Sequence, residues 1–164
     1  MTTPAWNSVT PAPVPEFDAV VLGRSFASQR AATRLRDEVR LSVHEIDNAT
    51  SARYDDVDHR WEIRYGRTVV ARAKFTIDGH GDIATEGRDG IALDSDSHVV
   101  QGFPNLFRAA GTRELDTVGY AITCIGYMRA HGHDYVEPRR QPLVSDDPFP
   151  ELSFDRPTPH MWTC

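Results

Sequence analysis

The chain has 164 residues, of which 40% are apolar, 26% charged and 9% aromatic, a composition typical of one globular domain in water. Its 24 acidic residues outnumber the 18 basic ones and give a formal net charge of −6, which argues against binding to nucleic acid through phosphate contacts. No apolar run approaches the roughly 18 residues of a membrane helix and no secretion signal is evident, so we expect a cytoplasmic protein with neither nucleic-acid nor membrane partners.

Both ends of the chain are rich in proline, which cannot continue a helix or donate a backbone hydrogen bond to a sheet. Residues 1–16 contain four prolines and residues 138–164 contain six. We therefore predict a disordered tail over residues 1–16 and an extended tail over residues 138–164. The folded unit is expected to span residues 17–137.

The first predicted elements are a strand, a helix and a second strand. Asp18–Leu22 is a short apolar run that ends at Gly23, as expected of a strand buried on both faces. Ser25–Glu38 follows as a helix with a narrow face of small residues. Residues 39–46 alternate in hydrophobicity and predict the second strand. Together these elements form a βαβ unit, which we expect to cross over in the right-handed sense.

The middle of the chain predicts a β-meander. Residues 60–65, 68–73 and 74–77 are strand-like and predict two or three β-rich segments. The first two are joined by a turn at Gly66-Arg67. Residues 46–59 and 79–98 are polar and rich in aspartate, so we expect loops there.

A short strand and a helix close the predicted unit. Gly102-Phe103-Pro104 leads into a strand at residues 106–110. A helix is expected over about residues 116–131, with Gly132 as its C-terminal cap.

These elements predict an α/β fold, a small Rossmann-like three-layer sandwich. The two strands of the βαβ unit and the strands at 74–77 and 106–110 would form a parallel sheet of about four strands in the order 2-1-4-5. We expect a helix on each side of this sheet, and the β-meander over one face.

The turn after the first strand is similar to a dinucleotide-binding fingerprint. Gly23–Ser28 follows the pattern G-x-G-x-x-G, with Ser25 and Ser28 in place of the second and third glycines. Glu45 lies near the end of the second strand, where a carboxylate can accept hydrogen bonds from a ribose. Arg24 either contacts a phosphate or is a solvated turn residue. Because the Ser25 side chain would crowd a pyrophosphate, nucleotide binding and an empty scaffold have equal weight as alternatives.

Three segments in order resemble the FAD-binding domain of flavoprotein monooxygenases of the Baeyer–Villiger and flavin-containing type. They are Phe17–Gly23, Val43–Glu45 and Gly102–Gly111, the last followed by a helix. The resemblance implies FAD as the cofactor. It also implies that the last segment leads a strand up to the flavin, which adds Gly111 to the candidate cofactor-binding residues.

The chain also departs from this family. Residues 46–59 replace the glycine-rich, tryptophan-containing segment that seats the isoalloxazine, and no NADPH site is evident. The resemblance thus implies a truncated FAD-binding protein that holds FAD weakly and is not a competent monooxygenase alone. A homo-oligomer or a partner chain would then complete the site. The alternative is a flavin-free scaffold that binds another small molecule, with isomerase or cyclase chemistry, or that acts as an interaction module.

The sequence assigns no catalytic residue and no metal site. Acidic residues and histidines alternate at 78–82 and 94–98, but such Asp-, Ser- and Gly-rich strings are typical of solvated turns. Ile83 also stands where a calcium loop needs glycine. Cys124 lies in an apolar helix, and no serine has the Gly-x-Ser-x-Gly context of a nucleophile.

Overall fold

The computed structural model describes residues 13–79, 83–93, 99, 102–109, 116–138, 149 and 151–155. Their helices and strands are, in chain order, β1 (Glu16–Leu22), α1 (Phe26–Asp37), β2 (Val43–Ile46), β3 (Ser51–Asp55), β4 (Arg60–Tyr65), β5 (Thr68–Asp78), β6 (Ala84–Glu86), β7 (Leu106–Arg108), α2 (Thr117–His131), β8 (Tyr135–Pro138) and β9 (Leu152–Asp155). Neither helix in these ranges has the length and apolar character that a membrane crossing requires.

The main sheet has the strand order β2-β1-β5-β4-β3-β6, and β7 pairs with the final residues of β5. β2, β1, β5 and β7 run parallel, with Val21 opposite Glu45 on one side and Ile77 on the other. β3, β4 and β5 form an antiparallel meander, with the turn after Tyr65 at Gly66. The predicted α/β fold, its order of parallel strands and its meander are confirmed.

β5 belongs to both halves of the sheet. Its first residues pair with β4 and its last three pair with β7, while β1 runs along its other side. Asn105 closes the gap between β4 and β7, where its side-chain Nδ2 donates to the carbonyls of Lys74 (3.2 Å) and Asp134 (2.9 Å). Its Oδ1 accepts from the Val136 N–H over 2.8 Å. One buried side chain therefore joins β5, β7 and β8.

Both helices pack on one face of the parallel sheet. Ala31 and Leu35 of α1 share an apolar cluster with Ile125 and Met128 of α2 and with Ala19 of β1. The expectation of one helix on each side is wrong, because the meander already covers the other face. There a second cluster joins β1 to β3 and β4 through Val20, Leu22, Tyr54, Trp61 and Ile63. The three layers are the helices, the parallel sheet and the meander.

Several elements differ from the predicted boundaries. β2 begins only at Val43, because the chain turns at Arg40, whose φ is 64°. β3 lies within the predicted loop 46–59, and β6 lies within the predicted loop 79–98. β5 is one continuous strand that includes both predicted segments 68–73 and 74–77.

The C-terminal segment contributes to the core. β9 lies within the segment predicted as an extended tail, and it pairs with β8. Phe149 and Leu152 are buried in the cluster that holds the two helices. Residues 1–12 of the predicted N-terminal tail lie outside the described residues.

Candidate functional site

The turn between β1 and α1 lies at the carboxyl end of the parallel strands. Gly23 has a φ of 96°, in the region that favours glycine. This backbone conformation explains why the first position of the fingerprint is a glycine. The Gly23 N–H donates to the Ile46 carbonyl over 2.9 Å, which holds the turn beside the end of β2. Ser25 caps α1, because its hydroxyl accepts from the Ser28 N–H over 3.0 Å.

Ser28 is fully buried at the position of the third glycine of the fingerprint. Its hydroxyl donates to the Leu22 carbonyl over 3.0 Å and lies 2.9 Å from the Ser25 Oγ. Space for this hydroxyl comes from Gly79, where an added Cβ would lie 1.9 Å from the Ser28 Oγ. The glycine that permits close packing between helix and sheet therefore stands after β5, and not on α1.

The first turn of α1 offers backbone donors. The N–H groups of Phe26 and Ala27 donate to no acceptor within the described residues. Such donors, together with the positive end of the helix dipole, favour an anion at this position. The Phe26 side chain beside them is 81% exposed, which is unusual for a ring of this size.

A cavity of about 460 Å³ lies between this turn and the end of β2. Its lining residues are Gly23, Arg24, Gln29, Thr33, Glu45, Ile46 and Asp47. The predicted residues Gly23, Arg24 and Glu45 thus meet at one cavity. Ser25 and Ser28 lie in the adjoining turn and helix, where their hydroxyl groups bond to each other.

Both carboxylates of this cavity are in ion pairs. The Arg24 Nε lies 2.7 Å from Asp47 Oδ2, and the Arg36 Nη1 lies 3.0 Å from Glu45 Oε2. Arg24 is 80% exposed. An exposed ion pair contributes less than about 1 kcal/mol, so the hydroxyl or phosphate groups of a ligand can compete with it.

Comparisons with known proteins give few matches. No protein-family model matches the sequence, and no curated protein matches it. The structure is similar to the closed crystal structure of cyclohexanone monooxygenase, with a TM-score of 0.40 and 15% sequence identity. The match covers 54% of this chain and 33% of that chain.

Three polar residues of the cavity were not predicted as site residues. Gln29 and Thr33 are one helical turn apart on α1, which places them on the same face. Asp47 directly follows β2. The sequence held a usable signal for Asp47, since polar residues after parallel strands meet at the carboxyl edge of the sheet, where ligands bind.

Other candidate residues stand apart from this cavity. Gly111 and the histidines and acidic residues at 80–82 and 94–98 lie outside the described residues. Within the described ranges, no group of three His, Cys, Asp or Glu residues could hold a metal ion. Cys124 is a free, buried cysteine, and burial raises the pKa of its thiol, which disfavours the thiolate that a nucleophile needs.

Proposed function

We propose that the chain binds the ADP portion of FAD in the cavity between the β1–α1 turn and the end of β2. The observation that carries the proposal is that Gly23 and Glu45 line one cavity, beside the N-terminus of α1. Dinucleotide-binding sheets hold their ligands at the carboxyl ends of parallel strands in this way. FAD is chosen over other dinucleotides because of the sequence resemblance of three segments to flavoprotein monooxygenases.

The pyrophosphate and the ribose each have partners in this proposal. The pyrophosphate would accept hydrogen bonds from the Phe26 and Ala27 N–H groups, and Arg24 would exchange Asp47 for a phosphate. The ribose hydroxyls would donate to Glu45, in competition with Arg36. FAD, when bound, supplies redox chemistry at its isoalloxazine. None of these contacts reaches that ring, so the proposal concerns binding and not oxygenation.

Ser25 sets the strength of binding in this proposal. Its hydroxyl already caps α1, so a phosphate must share the helix N-terminus with the Ser25 side chain. We expect weak FAD binding that is lost on dialysis. A second copy of the chain, or a partner chain, would supply the contacts to the flavin ring.

Calorimetric titration with FAD, ADP and adenosine tests the proposal. Ser25→Gly removes the crowding at a cost of a few tenths of a kcal/mol in capping, and should tighten FAD and ADP but not adenosine. Glu45→Gln should weaken all three ligands by roughly fivefold to tenfold. Glu38→Gln is the matched control, because Glu38 pairs with Arg34 at the other end of α1. Absence of FAD and ADP binding to both the natural chain and Ser25→Gly would contradict the proposal.

A second candidate function is a flavin-free scaffold. It is favoured by the Ser25–Ser28 and Arg36–Glu45 hydrogen bonds, which satisfy these four side chains without a ligand. The cavity would then hold another small molecule, with isomerase or cyclase chemistry, or the chain would act as an interaction module. If FAD and ADP do not bind in the titration although the protein is folded, this second candidate is supported.

We place the protein in the cytoplasm. This assignment is supported by Cys124, whose free thiol is compatible with a reducing compartment. Fractionation of cells that express a fluorescent fusion would test it. The fusion should be found in the cytoplasmic fraction and not in the membrane or secreted fractions.

A further inference from the structure

The backbone of β2 is open on its outer side. In the part of the chain that the structure describes, β2 is the last strand of the main sheet and has β1 as its neighbour on one side. The carbonyls of Ser42 and Ile46 accept hydrogen bonds from the side of β1. Backbone groups alternate in direction along a strand. The N–H and C=O groups of Val43 and Glu45 therefore point outward.

These outward groups fit a second copy of the same strand. In an antiparallel pair, two opposite residues can exchange both of their N–H···O hydrogen bonds. Val43 of one copy can exchange both bonds with Glu45 of the other copy, and the two-fold axis then passes through His44. This register satisfies the outward N–H and C=O groups of both residues in both copies. The same patch thus serves both chains, as a two-fold dimer requires.

Arg36 of α1 occupies this edge in the single chain. Its Nη2 donates over 3.0 Å to the Val43 carbonyl, which is an acceptor that a second copy needs. Its Nη1 donates over 3.0 Å to Glu45 Oε2. One guanidinium therefore bridges the outer edge of β2 and a carboxylate that lines the proposed nucleotide cavity. The Arg36 side chain is 43% exposed, so water can replace either contact at little cost.

We propose that Arg36 links ligand binding at Glu45 to the pairing of β2 with a second copy of the chain. This inference rests on the proposed function, in which the ribose hydroxyls donate to Glu45. A ribose at Glu45 removes the carboxylate that helps to hold Arg36, so the guanidinium leaves the Val43 carbonyl more readily. That carbonyl then accepts from the Glu45 N–H of the second copy. Such a link is reciprocal, so strand pairing also tightens ligand binding by the same factor.

Sedimentation velocity with ADP tests this link on the full chain, with calorimetry to show that ADP binds. Exposed ion pairs contribute little, so saturating ADP should lower the dimer dissociation constant by roughly twofold to fivefold. Arg36→Ala should dimerise more tightly than the natural chain and should not respond to ADP. Arg34→Ala is the matched control, because Arg34 pairs with Glu38, and it should respond like the natural chain. If ADP binds and dimerisation of the natural chain does not change, the proposal is overturned.

Glu45→Gln tests the role of Arg36 without a ligand. The loss of charge weakens the hold on Arg36, so this variant should dimerise roughly twofold to fivefold more tightly than the natural chain. Glu38→Gln, which removes the charge beside Arg34, is the matched control and should not. Tighter dimers of Glu45→Gln in a protein that does not bind ADP would contradict the nucleotide site and support the role of Arg36. A natural dimerisation constant in Glu45→Gln would overturn that role.

Hydrogen exchange of the natural chain locates the contact between the two copies. The amides of Val43 and Glu45 should exchange more slowly in the dimer than in the monomer, because each gains a carbonyl acceptor. Dimers in which both amides exchange at the monomer rate pair through another surface and would overturn the proposal.

Discussion

Ser28 on α1 and Gly79 after β5 pack so closely that a Cβ added to Gly79 would lie 1.9 Å from the Ser28 Oγ. Both residues also donate to one acceptor, the Leu22 carbonyl, each over 3.0 Å. The end of β1 is thus the point at which α1 and β5 meet. We therefore expect a change in this contact to displace the first turn of α1, on which the proposed nucleotide site depends.

The close contact predicts an energetic coupling between these two positions. Gly79→Ala should destabilise the fold by about 2 kcal/mol, because the added methyl group must displace the buried Ser28 side chain. Ser28→Gly in the same chain should recover part of that loss, so the double variant is more stable than the sum of the single effects predicts. Urea denaturation measures all three variants. Gly126→Ala is the control for the added methyl group, since a Cβ at Gly126 would meet no neighbouring atom within 4 Å. Strict additivity would contradict the contact.

The N-terminal cap of α2 predicts a pH dependence. The Asp116 carboxylate accepts from the Gly119 N–H over 2.8 Å, and this hydrogen bond, with the nearby Arg30, lowers the pKa of the Asp116 carboxyl. A pKa that is lower in the folded than in the unfolded state stabilises the fold above the unfolded-state value of about 3.9. That stabilisation is lost as the pH falls through the folded-state pKa.

Two substitutions at Asp116 separate the cap from its charge. Asp116→Ala should cost about 1 kcal/mol at neutral pH and less in acid. Asp116→Asn keeps a capping oxygen, so its stability relative to the natural chain should improve as the pH falls. Thermal denaturation at about pH 7 and about pH 2.5 measures both differences. A cost of Asp116→Ala that is the same at both pH values would contradict the role of the carboxylate.

The helix layer predicts a contrast between two positions on α1. Ala31 is fully buried in the cluster shared by α1 and α2, so Ala31→Leu should overpack it and destabilise the fold by about 1–3 kcal/mol. Arg34 pairs with Glu38 at the surface, and Arg34→Ala should change stability little. Melting temperatures compare the two variants. If both melt like the natural chain, α1 does not pack as described.

The edge strand β2 predicts that the protein self-associates. We expect Arg36 to limit this self-association. Ala19 in β1 and Gly23 just after it donate to the carbonyls of Ser42 and Ile46, so the alternate backbone groups, at Val43 and Glu45, point away from β1. The Arg36 Nη2 donates to the Val43 carbonyl over 3.0 Å and covers part of this edge. A covering charge is one way in which proteins protect an edge strand from pairing with a second copy.

Removal of this cover should strengthen self-association. We expect Arg36→Ala to form dimers at lower protein concentration than the natural chain, with Arg34→Ala as the control. Sedimentation velocity over a range of concentrations measures the change. A monomer at every concentration in both the natural chain and Arg36→Ala would show that this edge does not pair.

The parts of the fold with strong local patterns were predictable from the sequence. The apolar run before Gly23 and the capping glycine Gly132 mark β1 and the end of α2, because hydrophobic period and glycine conformation act locally. The same local signals gave three residues of the cavity.

Other parts depend on partners distant in the chain. β3 buries Ala52 and Tyr54 on one face, but its remaining residues are polar, so its sequence alone does not distinguish a strand from a loop. β9 becomes a strand only because β8 pairs with it. The compensation of Ser28 by Gly79 likewise connects two segments whose contact only the fold reveals.

The central position of β5 determines how the sheet can unfold. Ile77 lies between β1 and β7, and Ala73 lies between β1 and β4. The parallel half and the meander therefore share a central strand, and neither can detach while the other keeps all its hydrogen bonds. The amides of β5 should exchange with deuterium only when the whole sheet separates, so the two halves behave as one cooperative unit.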